Sequence, residues 1–219
     1  MWEAVDLDTL PTREAFRQSL AQRHGAALQE TLERSTVAVC GLGGLGSNIA
    51  IALARAGVGR LILIDFDRVD LANLNRQQYK VCQIGQPKVQ ALSENLLEIA
   101  PYLEITAHDC RITEENFREL LAGADVICEA FDNPESKAML VNGVLEQLSD
   151  TWLVAGSGMA GMDSPNTIRT RRISKRFYLC GDGVSDVQAA GTLFAARVMV
   201  CAAHQAHTII RILAGQYDV

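Results

Sequence analysis

The stretch VCGLGGLGSNIAIALARAGVGRLILIDFD, Val39–Asp67, passes from one apolar run through a glycine-rich loop to another apolar run. STVAVCG, ahead of the loop, and RLILID, at the far end, are short runs of the kind that form buried strands. LGSNIAIALARAGVG lies between them with helical spacing and stops at Gly57 and Gly59. Gly41, Gly43 and Gly46 fit the pattern G-x-G-x-x-G, with Gly44 beside them. The first glycine of such a loop permits a tight turn and the second lets backbone approach phosphate. The third lets the helix pack closely, its N-terminus facing the anion. Asp65 follows Gly46 by 19 residues and ends the second strand, where a carboxylate can take ribose hydroxyls. Asp67 joins it in the expected nucleotide set. The alternative is a glycine turn needed only for packing.

The alternation continues beyond Asp67. Residues 66–87 form a polar connection, long enough to expect a functional loop. KVQALSENLLEIA reads as a helix ended by Pro101. EITAHD, DVICEA and TWLVAGSG read as strands, and TEENFRELLAG and ESKAMLVNGVLEQL as helices. Strands alternating with helices predict a Rossmann-like α/β fold with a mostly parallel sheet and flanking helices. NTIRTRRI and KRFYLCG read as antiparallel additions, and GTLFAARVMVCAAHQAHTIIRILAG as a long closing helix. Residues 1–34 form a helical N-terminal segment, with helix over 11–34, and the 219 residues read as a single domain.

Composition narrows the function classes. The chain is 48% hydrophobic and 21% charged, with a net charge of −6, so a duplex nucleic-acid footprint is not expected. No apolar run reaches the roughly 18 residues of a membrane span, and the first residues do not read as a signal peptide. The expected location is cytoplasmic, with six reduced cysteines and no C-x-x-C pair among them.

The residues after the glycine loop do not fit a dehydrogenase. Asn73, Arg76 and Gln77 lie in the long connection, Lys88 heads the next helix, and Asp132 follows the fourth strand in EAFDN. Ligands bind at the carboxyl edge of such sheets. Arg76 and Lys88 can neutralise phosphate charge, and Asp132 can hold Mg²⁺, which favours one or two carboxylates plus phosphate oxygens. The competing readings are solvated surface charge for the two cations and a helix N-cap for Asp132. A NAD-dependent oxidoreductase has no use for Arg76, Lys88 and Asp132 together.

These segments, with IGQPKV and FDN, resemble the ThiF/MoeB/HesA family, bacterial relatives of ubiquitin-activating enzymes. RHGAALQETL, LNRQQY, GSGMAG and SKRFYLCGDG look most like the short ThiF subgroup of thiamine biosynthesis. The resemblance implies adenylylation, by ATP, of the C-terminal glycine carboxylate of a ThiS-like sulfur carrier with a Gly-Gly tail. Relatives acting on a molybdopterin-type carrier or a tRNA-linked carboxylate are the alternatives. It also implies that the glycine loop and Asp65 hold ATP, that Asn73, Arg76 and Lys88 are catalytic, and that Asp132 is the magnesium-associated acid. It implies a homodimer in which Arg17, with Arg23 as fallback, reaches the partner's site.

The chain departs from many relatives in lacking two C-x-x-C pairs, so no structural zinc is expected. Cys180 is the nearest candidate for a covalent link to the carrier, or else a small packed residue. Cys201, His204 and His207 invite a zinc reading, but residues six apart on a helix diverge by about 120°. The run Arg169, Arg171, Arg172, Lys175 and Arg176 fits docking of an acidic carrier, or an edge strand protected by charge.

Overall fold

The computed structural model describes residues 10–219. The reading of the extreme N-terminus as no signal peptide rests largely on residues 1–9, outside the described residues. A seven-stranded sheet runs in the order β3-β2-β1-β4-β5-β7-β6. Its strands are β1 (Thr36–Cys40), β2 (Arg60–Asp65), β3 (Glu104–Asp109), β4 (Val126–Glu129), β5 (Trp152–Gly156), β6 (Arg169–Ser174) and β7 (Phe177–Gly181). The helices are α1 (Arg13–His24), α2 (Ala26–Arg34), α3 (Gly44–Ala56), α4 (Lys88–Ile99), α5 (Phe117–Leu120), α6 (Pro134–Gln147), α7 (Val187–Ala190) and α8 (Ala195–Leu213).

The central strands are apolar on both faces, as strands covered on both sides must be. Val37, Val39, Leu61 and Leu63 pack with α3, α4 and α8. Ala38, Cys40, Ile62 and Ile64 point the other way, into a second core with α5 and α6. This is the predicted Rossmann-like sheet with flanking helices and a closing helix. No described helix is long and apolar enough to cross a membrane.

Three details differ from expectation. β7 is antiparallel to β6 but parallel to β5, so only β6 reverses direction. The helix expected over TEENFRELLAG shrinks to Phe117–Leu120. Thr113 N donates to Asn116 Oδ1 at 2.8 Å, and Asn116 Nδ2 donates to Arg111 O at 2.9 Å. Such side-chain bonds offer the backbone an alternative to helix. The closing helix begins at Ala195 rather than Gly191, because Gly191 has φ +66° and separates it from α7.

Candidate active site

The glycine loop is held by contacts that only glycine permits. Gly41 has φ +92°, and a Cβ there would meet Ala130 O at 2.9 Å. A Cβ on Gly46 would stand 1.8 Å from Gly41 O, so this third glycine yields to the loop's own backbone rather than to the sheet. α3 starts at Gly44 with no side-chain cap, which leaves N–H groups at its N-terminus for an anion.

Asp65 is buried and fixes this loop. Leu42 N donates to its Oδ2 at 2.6 Å, and Asp67 N donates to its Oδ1 at 2.8 Å. Burial pushes the Asp65 carboxyl up from its ordinary pKa, while Lys88 and the two backbone bonds pull it down. Each carboxylate oxygen keeps a second lone pair, so Asp65 can still accept from hydroxyls.

A cleft of about 970 Å³ opens over the carboxyl ends of the strands. Gly41, Gly43, Gly44, Asp65, Asp67, Asn73, Arg76, Lys88 and Asp132 all line it. Lys88 is buried, and its Nζ donates to Asp67 Oδ2 at 2.8 Å, which rules out the solvated-charge reading for it. Arg76 lays its stem near Gly44 and donates to Ala72 O and Asn75 Oδ1. Asn73 accepts from Asp70 N at 3.1 Å. Asp132 is exposed, and no described residue bonds to its carboxylate. The N-cap of α6 is Asn133, whose Oδ1 accepts from Ser136 N at 2.8 Å. The capping alternative for Asp132 is thereby corrected.

Other expected residues lie elsewhere. Arg17 sits on α1 beside Gly57 and Tyr102, at the amino ends of the strands, and pairs with Glu14 at 3.3 Å. It is not in its own chain's cleft, and Arg23 likewise lies outside it. Cys180 is fully buried within hydrogen-bonding reach of Thr170 and Thr208, and burial raises its thiol. Such a thiol is neither exposed nor activated. Cys201 is buried and pushed up to about 12, His204 Nδ1 lies 3.1 Å from Thr170 Oγ1, and His207 is exposed. No three metal-binding side chains gather among the described residues. Of the basic run, Arg172 lies over Tyr178 and Arg176 over Trp152, while Arg169, Arg171 and Lys175 are exposed.

Sequence reasoning missed several groups. Lys137 lines the cleft, donates to the fully buried Glu129, and donates to Gly156 O at 2.8 Å. Phe131 N donates to the other Glu129 oxygen at 2.7 Å, so this pair shapes the turn that carries Asp132. A charged residue inside the apolar run DVICEA was the available signal. Arg111 lies over the Phe66 ring at 4.2 Å on the cleft wall.

Asp182 and Arg197 form a buried pair at 2.6 Å beside the cleft. Arg197 also donates to Ala160 O, Asp163 O, Ser164 O and Thr167 Oγ1, tying down the loops after β5 and β7. Burial of Asp182 acts to raise its pKa. Hydrogen bonds from Ser185, Val184 and Arg197 outweigh burial and hold it at about 2. A carboxyl depressed in the fold stabilises above its unfolded pKa, near 4, and loses that contribution as pH falls through the folded value. Wild type should therefore exceed Asp182→Asn in stability at pH 5, and the gap should narrow by about 1 kcal/mol at pH 3. Urea midpoints of both proteins at the two pH values test this; a constant gap removes the ionised pair as its cause.

The ThiF family model matches residues 16–219. The chain belongs to the ThiF family. ThiF-family relatives include the tRNA threonylcarbamoyladenosine dehydratase of Bacillus subtilis (strain 168), 39% identical over 148 residues, covering 67% of this chain and 58% of that protein. The molybdopterin-synthase adenylyltransferase of Escherichia coli (strain K12) is 33% identical over 193 residues, covering 85% and 76%. The chain thus spans little more than half of the Bacillus protein. Among solved structures, the E. coli tRNA N6-threonylcarbamoyladenosine dehydratase in complex with ATP has a TM-score of 0.84 at 22% identity, covering 94% of this chain and 98% of that one. That likeness speaks for the fold.

Proposed function

We propose that this ThiF-family chain uses ATP to adenylylate the C-terminal glycine carboxylate of a ThiS-like sulfur carrier, releasing pyrophosphate. The observation that carries the reading is the convergence of the glycine loop, Lys88, Arg76 and Asp132 on one cleft. The cleft extends past Gly156 and Gly158 to Leu179, with room for an extended tail as well as a nucleotide. A peptide carboxylate is ionised at neutral pH and needs no general base. Its oxygen forms a bond to the α-phosphorus, the bond to the bridging oxygen breaks, and pyrophosphate leaves with that electron pair. The barrier is electrostatic, so catalysis is mainly alignment and charge stabilisation.

The loop N–H groups and Asp65 hold the nucleotide, and the Phe66–Arg111 stack offers a wall for its base. Lys88 and Arg76 neutralise phosphate charge. Asp132 fits a Mg²⁺ ion, because its exposed carboxylate at the cleft has no partner among the described residues. That ion, when bound, offsets the charge of the phosphates. A second reading, adenylylation of a tRNA-linked carboxylate, is favoured by the similarity to the Bacillus dehydratase. ATP–pyrophosphate exchange with each purified acceptor separates the two.

The placement of Arg17 far from its own cleft supports action in trans within a homodimer. Arg17→Ala and Lys88→Ala should each be inactive alone. Their mixture should regain exchange, since a mixed dimer holds one site with both defects and one with neither. Heterodimers that form and stay inactive would assign Arg17 to another role.

A further inference from the structure

β4 and β5 pair as far as Glu129 and Ala155, where their ladder ends. From there the chain turns through Ala130, Phe131 and Asp132 into α6, while β5 runs on to Gly156. Glu129, fully buried, holds this junction. One of its carboxylate oxygens accepts from Phe131 N at 2.7 Å, and the other accepts from Lys137 Nζ on the first turns of α6. Lys137 Nζ also donates to Gly156 O at 2.8 Å. One ammonium thus joins β4, α6 and β5 just past the point where backbone pairing stops. Both neighbours of the Glu129 carboxylate are donors, so an ionised acid satisfies both of them and an amide could satisfy only one.

The parts so joined have different uses. Asp132 follows Phe131, and its exposed carboxylate has no partner among the described residues, so its place comes from the backbone that Glu129 holds. Gly156 begins the arm of the cleft with room for an acceptor tail. We propose that Glu129 and Lys137 are positioning residues that fix the Asp132 turn against the end of β5 and so set the register of the nucleotide against the acceptor. The attacking oxygen must stand about 3–3.5 Å from the α-phosphorus, and a displacement of about 1 Å can cost about a hundredfold in rate. The pair acts through the backbone of the turn and of Gly156 and needs no contact with either substrate. The proposal rests on the adenylylation reading and adds to it the device that aligns the two reactants.

Two variants test this, assayed well below their melting temperatures. The acceptor is whichever supports wild-type exchange among a ThiS-like carrier, a molybdopterin-type carrier and a tRNA-linked carboxylate. Lys137→Met leaves the Glu129 carboxylate buried without its cation and should melt below wild type. The double variant Glu129→Gln/Lys137→Met buries no lone charge, keeps an acceptor for Phe131 N, and should melt above Lys137→Met. In both, kcat for ATP–pyrophosphate exchange should fall about 10- to 100-fold, while ATP affinity by calorimetry and the KM for the acceptor change by less than about threefold. A double variant whose exchange returns to within about threefold of wild type would make the pair a matter of stability alone and overturn the proposal. So would a loss that appears in ATP affinity or acceptor KM with kcat unchanged. Wild-type protein that exchanges with none of the three acceptors defeats the adenylylation reading itself, a different result from variants that exchange like wild type.

Discussion

Asp132→Ala should lower acceptor-dependent exchange by at least about a hundredfold, the scale of losing a main charge-stabilising group. The fold should barely notice. The Asp132 side chain is exposed on the turn between β4 and α6, and Asn133, not Asp132, caps α6. Stability should stay within about 0.5 kcal/mol of wild type, as for surface substitutions without a structural partner. Asp132→Asn separates charge from shape, and a loss almost as large is expected because an amide is a poor substitute for a carboxylate near magnesium. Either variant exchanging at the wild-type rate would remove Asp132 from the chemistry.

Gly46→Ala should act through the fold. The added carbon would stand 1.8 Å from Gly41 O. The loop has little freedom to retreat, since Gly41 N donates to Ile64 O and Gly41 itself abuts Ala130 O. A loss of about 3 kcal/mol or more is expected, at the upper end of overpacking, lowering the melting temperature by roughly 6–12 °C. Gly85→Ala is the control. Gly85 has φ +89° but open space around its Cβ position, so only backbone strain of about 1–2 kcal/mol applies. Equal effects for the two variants would mean that the clash at Gly46 is relieved by local movement.

Much of this arrangement was legible in the sequence because the signals are local. The glycine spacing, the acid ending β2 and the lysine opening α4 each sit at an element boundary that periodicity marks. The parallel sheet follows from the alternation of apolar runs with helical ones. What escaped depends on residues that meet only after folding. The Asp182–Arg197 pair joins the loop after β7 to α8, and Lys137 reaches back from α6 to Glu129 on β4. The Phe66–Arg111 stack joins the ends of β2 and β3. The shortened α5 was hidden for another reason: Asn116 bonds its own neighbourhood and overrides a helical pattern.

The central claim is that the cleft joins ATP to a carboxylate. The most direct measurement is incorporation of labelled pyrophosphate into ATP by the purified protein with magnesium, with and without acceptor. Exchange that appears when a ThiS-like carrier ending in Gly-Gly is added is the predicted result. A folded, nucleotide-binding protein that shows no exchange with that carrier, with a molybdopterin-type carrier or with a tRNA-linked carboxylate would contradict it.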